Sequence, residues 1–131
     1  MRILLLLLYV FPFCAFSQEI PMLVSAESTL TEGDTTKSLI IFQEILKDYP
    51  DSYIAALRLS EINYERKVYN DAIQYANIAD DILISHLDSL SAKTVINEED
   101  SIRKQVYLED RGNTHLLKGK IRLEQLRYDD A

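Results

Sequence analysis

Apolar residues recur at intervals of three and four along most of this chain, which is the spacing of one face of an α-helix. No glycine or proline interrupts Asp71 to Leu90, so this stretch is predicted to form one helix of about 20 residues, nearly 30 Å long. Asn70 is its predicted N-cap, with Asp71 favouring the positive end of the helix dipole. No segment alternates convincingly as a strand, so the chain is predicted to be all-α. The apolar stripe of the helix predicted from Asp71 to Leu90 comprises Ala72, Tyr75, Ala76, Ala79, Ile82, Leu83, His86, Leu87 and Leu90.

Short turn signals separate the predicted helices. Gly33-Asp34 stands between the first two, and Asp48-Tyr49-Pro50-Asp51-Ser52 combines a helix stop with a new helix start. An order of helix, short turn and helix predicts helical hairpins packed side by side.

The stretch from Gly33 to Pro50 belongs to an internal repeat. A turn at Gly33 is followed by a small residue, Ser38, then by Phe42, Ile45 and a terminating Pro50. A second copy follows about 34 residues later, and a third begins near the end of the chain. A period of this size is the signature of a repeat architecture.

These residues resemble the tetratricopeptide (TPR) repeat, a pair of antiparallel helices with small residues where the helices cross. In the second copy, helix A is predicted from about Tyr53 to Arg66, and helix B opens with Tyr69-Asn70-Asp71-Ala72, similar to the family's frequent Tyr-x-x-Ala. The first half of the first copy, Ile20 to Leu30, is weaker. The third copy departs from the family at His115 and Lys118, which stand where the family has apolar residues. The other residues that carry the resemblance are Met22, Ser25, Ala26, Ala56, Leu59, Ser60, Ala76, Ala79, Leu116, Leu117, Gly119 and the closing stretch Leu126 to Ala131.

The third copy departs from the family's spacing. It begins much later than one further period of about 34 residues would place it, and the extra stretch, roughly Asp80 to Arg111, keeps a helical pattern. The resemblance therefore implies an all-α TPR-like helical hairpin solenoid of about two and a half repeats, with an elongated hairpin between repeats 2 and 3.

The third repeat is incomplete. Its helix B should begin at Tyr128, but the chain stops at Ala131, so we expect a fragment of a longer protein or a truncated reading frame. The uncovered helix 3A, with Leu116, Leu117, Ile121 and Leu126, predicts self-association through the unfinished third repeat.

The N-terminus has the pattern of an export signal. Arg2 precedes the apolar run Ile3 to Phe16, and Ala15-Phe16-Ser17 offers small residues for a signal peptidase. Residues 1–17 are therefore predicted to be a signal peptide, and 18–131 the helical domain. The alternatives are a membrane anchor, although the run is shorter than the roughly twenty residues of a spanning helix, and a lipoprotein acylated at Cys14. Without the signal we expect no membrane span and an exported protein: periplasmic, in the cell envelope or secreted.

The remaining chain is acidic. Removal of Arg2 leaves 13 basic and 21 acidic residues, a net charge of −8. This charge argues against binding to nucleic acid, which requires neutralised phosphates, and against docking to anionic lipid.

The sequence offers little for catalysis. Its two histidines, His86 and His115, have no metal-ligand partner three or four residues away, and three glycines cannot build a nucleotide cradle. His86 lies on the apolar stripe and is interpreted as a packing residue at the edge of the core. We expect no enzyme activity, no cofactor and no metal.

The resemblance implies a groove lined by the A helices, in which a segment of a partner protein lies. The matching positions are mainly acidic, so a cationic or mixed apolar protein or peptide partner is expected. Three functions stay open: an exported scaffold, the N-terminal sensor part of a longer membrane signalling protein, and a component of cell-envelope assembly. The groove positions are Glu27, Leu30, Leu57, Glu61, Tyr64, Glu65, Leu116, Lys120 and Glu124.

Overall fold

The computed structural model describes residues 18–129, which form five helices and no strand. The all-α prediction is confirmed over these residues, whereas the predicted signal peptide and Ala131 lie outside them. The chain divides into two compact units, one ending at Pro50 and the other beginning at Asp51. The helices are α1 over 18–31 and α2 Thr35–Asp48 in the first unit, and α3 Tyr53–Glu65, α4 Tyr69–Ser91 and α5 Glu98–Asp129 in the second.

The first unit is a hairpin of α1 and α2 joined by a tight turn. Gly33 has φ +90°, a left-handed conformation that glycine adopts without steric cost. The turn closes with two backbone hydrogen bonds, from Gly33 N to Leu30 O (3.0 Å) and from Asp34 N to Thr29 O (3.1 Å). The Asp34 carboxylate then accepts a hydrogen bond from Lys37 N at 3.0 Å and caps α2. The turn signal read from the sequence therefore forms as predicted.

The hairpin of α3 and α4 is closed in the same way. Lys67 is left-handed, with φ 62°, and its N–H donates to Tyr64 O at 3.0 Å, while Val68 N donates to Asn63 O at 2.8 Å. Lys67 stands one repeat period after Gly33, and the first residue of α4 stands one period after the first residue of α2. The two hairpins therefore share one turn geometry, the αL cap that commonly ends a helix. A side chain in this conformation costs roughly 1–2 kcal/mol relative to the ordinary backbone.

Small residues hold the two helices of each hairpin close together. Ser38 Oγ in α2 donates to Ala26 O in α1 at 2.9 Å, and Ser60 Oγ in α3 donates to Ala72 O in α4 at 2.7 Å. All four residues are buried. In the first hairpin the serine is on the second helix, and in the second hairpin it is on the first helix. The same two positions of the repeat therefore form the hydrogen bond in both hairpins. Phe42, Ile45, Ala56 and Leu59, which belong to the repeat pattern, are also buried.

Ala76 offers a test of this close packing. It is fully buried in a cluster with Ala72 and Ile73 of α4 and Ile121 of α5. Ala76→Leu is expected to lower the free energy of unfolding by about 1–3 kcal/mol, because the added methyl groups must displace packed neighbours. Urea unfolding measures the loss, and Asn77→Leu, at the adjacent exposed position, serves as the control. Equal stability of the two variants would contradict the described packing.

The second unit extends well beyond α3 because α4 has 23 residues and α5 has 32. The prediction of two prolonged helices is confirmed. Their connection is fixed at the start of α5, where Asn97 Oδ1 accepts from Asp100 N and Lys93 Nζ contacts the Asp100 carboxylate, both at 2.7 Å. The hydrogen bond from Lys93 lowers the pKa of Asp100 below its ordinary value. Within residues 18–129, no helix is both long and apolar enough to span a membrane.

Two predicted helix ends are wrong. The N-cap of α4 is Val68, without a side-chain hydrogen bond, instead of Asn70; the left-handed Lys67 completes the turn early and the helix begins at once. No new helix begins at Tyr128, because α5 continues to Asp129. Its last turns lie against α4, where Gln125 donates to Asn70 at 3.0 Å and the Tyr128 ring lies 5.6 Å from that of Tyr69.

Candidate binding groove

Two helices of the second unit present side chains at helical spacing toward a shared groove. On α3 these are Arg58, Glu61 and Glu65, which follow one another at intervals of three and four. On α5, Leu117, Lys120 and Glu124 have the same spacing. All three residues of the α3 row, together with Leu117 and Lys120 of the α5 row, line one concavity, and α4 packs on both helices.

The first part of this surface is a concavity of about 360 Å³. Tyr64 and Leu117 form its floor, half-buried against the cluster that contains Ala76 and Ile121. Charged side chains surround this apolar floor, an arrangement typical of binding sites that hold a ligand by apolar contact and orient it by polar groups. The lining residues are Arg58, Glu61, Tyr64, Glu65, Leu117 and Lys120.

A second concavity of about 330 Å³ adjoins the first. Tyr64 of the first lies 6.0 Å from Tyr69 of the second, measured between ring centroids, and Tyr69 lies 5.6 Å from Tyr128. Three tyrosine rings thus connect the two concavities, which together we call the tyrosine groove. Tyrosines combine apolar contact area with a polar hydroxyl and are frequent at protein interfaces. The second concavity is lined by Lys67, Tyr69, Glu124, Arg127 and Tyr128.

Charges of both signs surround the tyrosines. Glu61 pairs with Arg58 at 2.7 Å, and Glu124 pairs with Arg127 at 3.1 Å. Glu65 adds a negative charge on the α3 side, and Lys120 adds a positive one on the α5 side. Burial and then the neighbouring Glu124 raise the pKa of Tyr69 above its ordinary value. Its hydroxyl is protonated at neutral pH, as in an unperturbed tyrosine, and is able to donate a hydrogen bond.

Five of the nine predicted groove residues lie in the tyrosine groove. Four of them, Glu61, Tyr64, Glu65 and Lys120, line the first concavity, and Glu124 lines the second. These five residues are therefore brought together on one surface, and their role in binding a partner stays a prediction. The lining residues that it missed are Arg58, Lys67, Tyr69, Leu117, Arg127 and Tyr128.

The other four predicted residues have different positions. Leu116 lines neither concavity and is 61% exposed on another face of α5. Neighbouring residues of a helix point about 100° apart, and Leu117 lines the first concavity instead. Leu57 is half-buried on α3 and is not a lining residue of either concavity. Glu27 and Leu30 are half-buried on α1 in the first unit, whereas the tyrosine groove is built from the second.

A buried carboxylate joins α4 to α5 away from the tyrosines. Asp80 is only 7% exposed, and it contacts Arg111 Nε at 2.9 Å, Lys118 Nζ at 3.4 Å and His115 Nε2 at 3.5 Å. Burial by itself raises the pKa of Asp80, but the Arg111 hydrogen bond and the nearby His115 and Lys118 outweigh it, so the pKa lies below its ordinary value. The cluster satisfies a buried charge and fixes the register of the two helices.

An aromatic cluster performs a similar role beside it. The His86 ring stacks on Tyr107, with centroids 5.2 Å apart, and Tyr53 meets Tyr107 edge-on at 5.8 Å. Tyr53 donates its hydroxyl to the Asp110 carboxylate at 2.7 Å, and burial followed by this hydrogen bond raises the pKa of Tyr53. His86 is therefore a packing residue, as predicted. Over residues 18–129, no three His, Cys, Asp or Glu side chains are grouped so that they could hold a metal ion.

No protein-family model, curated protein or solved structure matches the chain. The side chains of the site itself therefore carry the indication of function. Their arrangement, an aromatic floor between charges of both signs, suits the binding of an amphipathic segment.

Proposed function

We propose that this chain is a TPR-like interaction module whose tyrosine groove binds a segment of another protein. The observation that carries the proposal is the series Tyr64, Tyr69 and Tyr128, partly open to solvent and flanked by charged side chains. Burial of this exposed aromatic surface by a partner would release free energy, which a polar helix face does not offer.

The internal repeat supports a TPR-like arrangement. The left-handed residues Gly33 and Lys67, and the serine–alanine hydrogen bonds of the two hairpins, recur at the period of that family, about 34 residues. In the comparison with TPR proteins, α3 corresponds to helix A of the second repeat and α5 contains helix A of the third. The rows that face the tyrosine groove therefore stand on the helices that line the groove of TPR proteins.

The charges favour the mixed apolar partner over the purely cationic one. Arg58 neutralises Glu61, and the opposite sides of the first concavity carry Glu65 and Lys120. An apolar or aromatic side chain of the partner fits over Tyr64 and Leu117, a basic one near Glu65, and an acidic one near Lys120.

The conformation of Lys67 supports a role for its side chain. Glycine, which stands at the equivalent turn, would adopt φ 62° without strain, whereas lysine does so at a cost. Lys67 lines the second concavity, where it adds positive charge beside Arg127. We assign this end of the groove to an acidic group of the partner.

The cellular setting belongs to the same proposal. A signal peptide over 1–17 would deliver the module to the periplasm, the cell envelope or the exterior, where it would act as a scaffold between exported proteins. The acidic charge of the chain is consistent with a protein partner and disfavours nucleic acid.

The groove is tested by selecting binding peptides from a random displayed library and measuring their affinity by fluorescence anisotropy. Tyr64→Ala is expected to weaken the selected peptides at least about tenfold, because truncation of a central aromatic residue removes an anchor. Lys120→Glu is expected to weaken peptides with an acidic residue by a similar factor. Lys104→Glu, an exposed lysine of the same helix outside the groove, is the matched control. Peptides that bind all three variants as well as the unaltered chain would refute the site.

A further inference from the structure

A row of leucines and glycines runs along the face of α5 that points away from α4. Successive members are separated by three or four residues, so they share one narrow face of the helix. The four leucines are 51%, 61%, 63% and 59% exposed in chain order. Thr114 and Ile121, which are fully buried, lie on the opposite side of the same helix. We call this row the outer stripe; it consists of Leu108, Gly112, Leu116, Gly119, Leu123 and Leu126.

The two glycines have no packing role among residues 18–129. A Cβ atom added at Gly112 or at Gly119 would meet no atom within 4 Å. Both stand inside a helix, where glycine is among the poorest residues. Exposed leucines would also gain free energy from burial. The outer stripe thus combines apolar residues that need a cover with gaps that would let a second backbone approach.

We propose that the outer stripe is a self-complementary interface through which two copies of this chain pair, with their α5 helices antiparallel. When Leu116 of one copy lies over Gly119 of the other, the same two-fold axis puts Gly112 opposite Leu123. Leu116 and Leu123 then each fill the gap left by a glycine, as a knob fills a hole. A two-fold interface requires this reciprocity, in which each contact occurs twice with the roles exchanged.

Charges at the edge of the outer stripe fit the same register. Glu109 and Arg127 are separated by about five whole helical turns, so they lie on the same edge of α5. Arg127 also pairs with Glu124 at 3.1 Å, at the border between this edge and the tyrosine groove. In the antiparallel pair, Arg127 of one copy faces Leu108 of the other, and Glu109 is the residue beside that leucine. The opposite charges are therefore close together, and the two-fold axis repeats this contact at the other end of the interface. Neither an unrelated helix nor a lipid surface would require leucine to face glycine and Glu109 to lie near Arg127. The net charge of −7 for the full sequence further disfavours anionic lipid.

The expected dimer is reversible. The outer stripe runs from Leu108 to Leu126, about 27 Å of helix. The area that one pair of helices of this length buries is at the small end of specific interfaces. The dimer should therefore form and dissociate with protein concentration. Tyr64→Ala, which alters the tyrosine groove, should leave it unchanged.

Sedimentation velocity of the full chain over a range of concentrations tests the proposal. We expect a monomer–dimer equilibrium, and Gly119→Leu should raise its dissociation constant at least about tenfold because the gap is filled. The circular dichroism signal of this variant should stay as helical as before, since glycine is replaced by a better helix former. Asn113→Leu adds the same side chain at an exposed position beside the outer stripe and should leave the dimer intact.

Disulfide trapping tests the register separately. In a Cys14→Ser background, copies carrying Leu116→Cys and copies carrying Gly119→Cys are mixed and oxidised. The proposal predicts that the disulfide between residues 116 and 119 forms faster than either symmetric disulfide. A chain that stays monomeric, a dimer that Gly119→Leu does not weaken, or preferential Leu116→Cys self-linkage would each overturn the proposal.

Discussion

Replacing Ile121 by alanine is expected to lower the free energy of unfolding by about 2–5 kcal/mol, the largest effect of any single change considered for this chain. Ile121 is fully buried where α5 packs on Ala72, Ile73 and Ala76 of α4. Truncation removes apolar contact and leaves a cavity that the close-packed alanines cannot fill, since they have no side-chain atoms beyond Cβ.

Urea unfolding followed by circular dichroism measures this loss. Ile102→Ala is the matched control, because it makes the same truncation on the same helix at a side chain that is 58% exposed. We expect the control to change stability by less than about 1 kcal/mol. Similar losses from both substitutions would mean that α5 does not pack through Ile121.

Replacing Asp80 by asparagine is expected to lower the free energy of unfolding by about 1.5–3 kcal/mol, the range for hydrogen bonds to charged groups. The substitution keeps the shape of the side chain but leaves Arg111, His115 and Lys118 without the carboxylate that they surround. Asp81→Asn, one residue further on and exposed, removes the same charge from the chain and should cost little.

The loss from Asp80→Asn should also depend on pH. The folded pKa of Asp80 lies below its ordinary value of 3.8, so the folded state binds this proton less readily than the unfolded state. The stabilisation by the carboxylate is therefore complete well above pH 3.8 and is lost as the pH falls through the lower folded pKa. Urea titrations at neutral and acidic pH should show the gap between wild type and Asp80→Asn closing in acid. A gap that widens in acid would contradict the described ion pairs.

The helices could be predicted because their stripes are long and uninterrupted. The α4 stripe contains six of that helix's buried residues, and the turn at Gly33 was signalled by its glycine. The turn at Lys67 has the same geometry, but a lysine gives no such signal. The predicted N-cap at Asn70 failed for this reason, since the sequence does not reveal that the chain has already turned.

The orientation of α5 could not be read from the sequence. Leu116 and Leu117 are adjacent and equally apolar, and only the packing of α5 on α4 shows that Leu117 faces the groove while Leu116 is exposed. A helix with apolar residues on two faces has no single hydrophobic stripe, so periodicity cannot decide which face is buried. Tyr69 and Tyr128 were missed because their contact joins residues that are far apart in sequence.

Amide chemical-shift mapping of a selected peptide on the isotope-labelled chain tests the central proposal most directly. We predict that the largest shifts fall on Tyr64, Glu65, Leu117 and Lys120, and that they continue to Tyr69 and Tyr128. The outer stripe should shift little at concentrations where the chain is monomeric. Shifts centred on another face, with the tyrosine groove unaffected, would contradict the account.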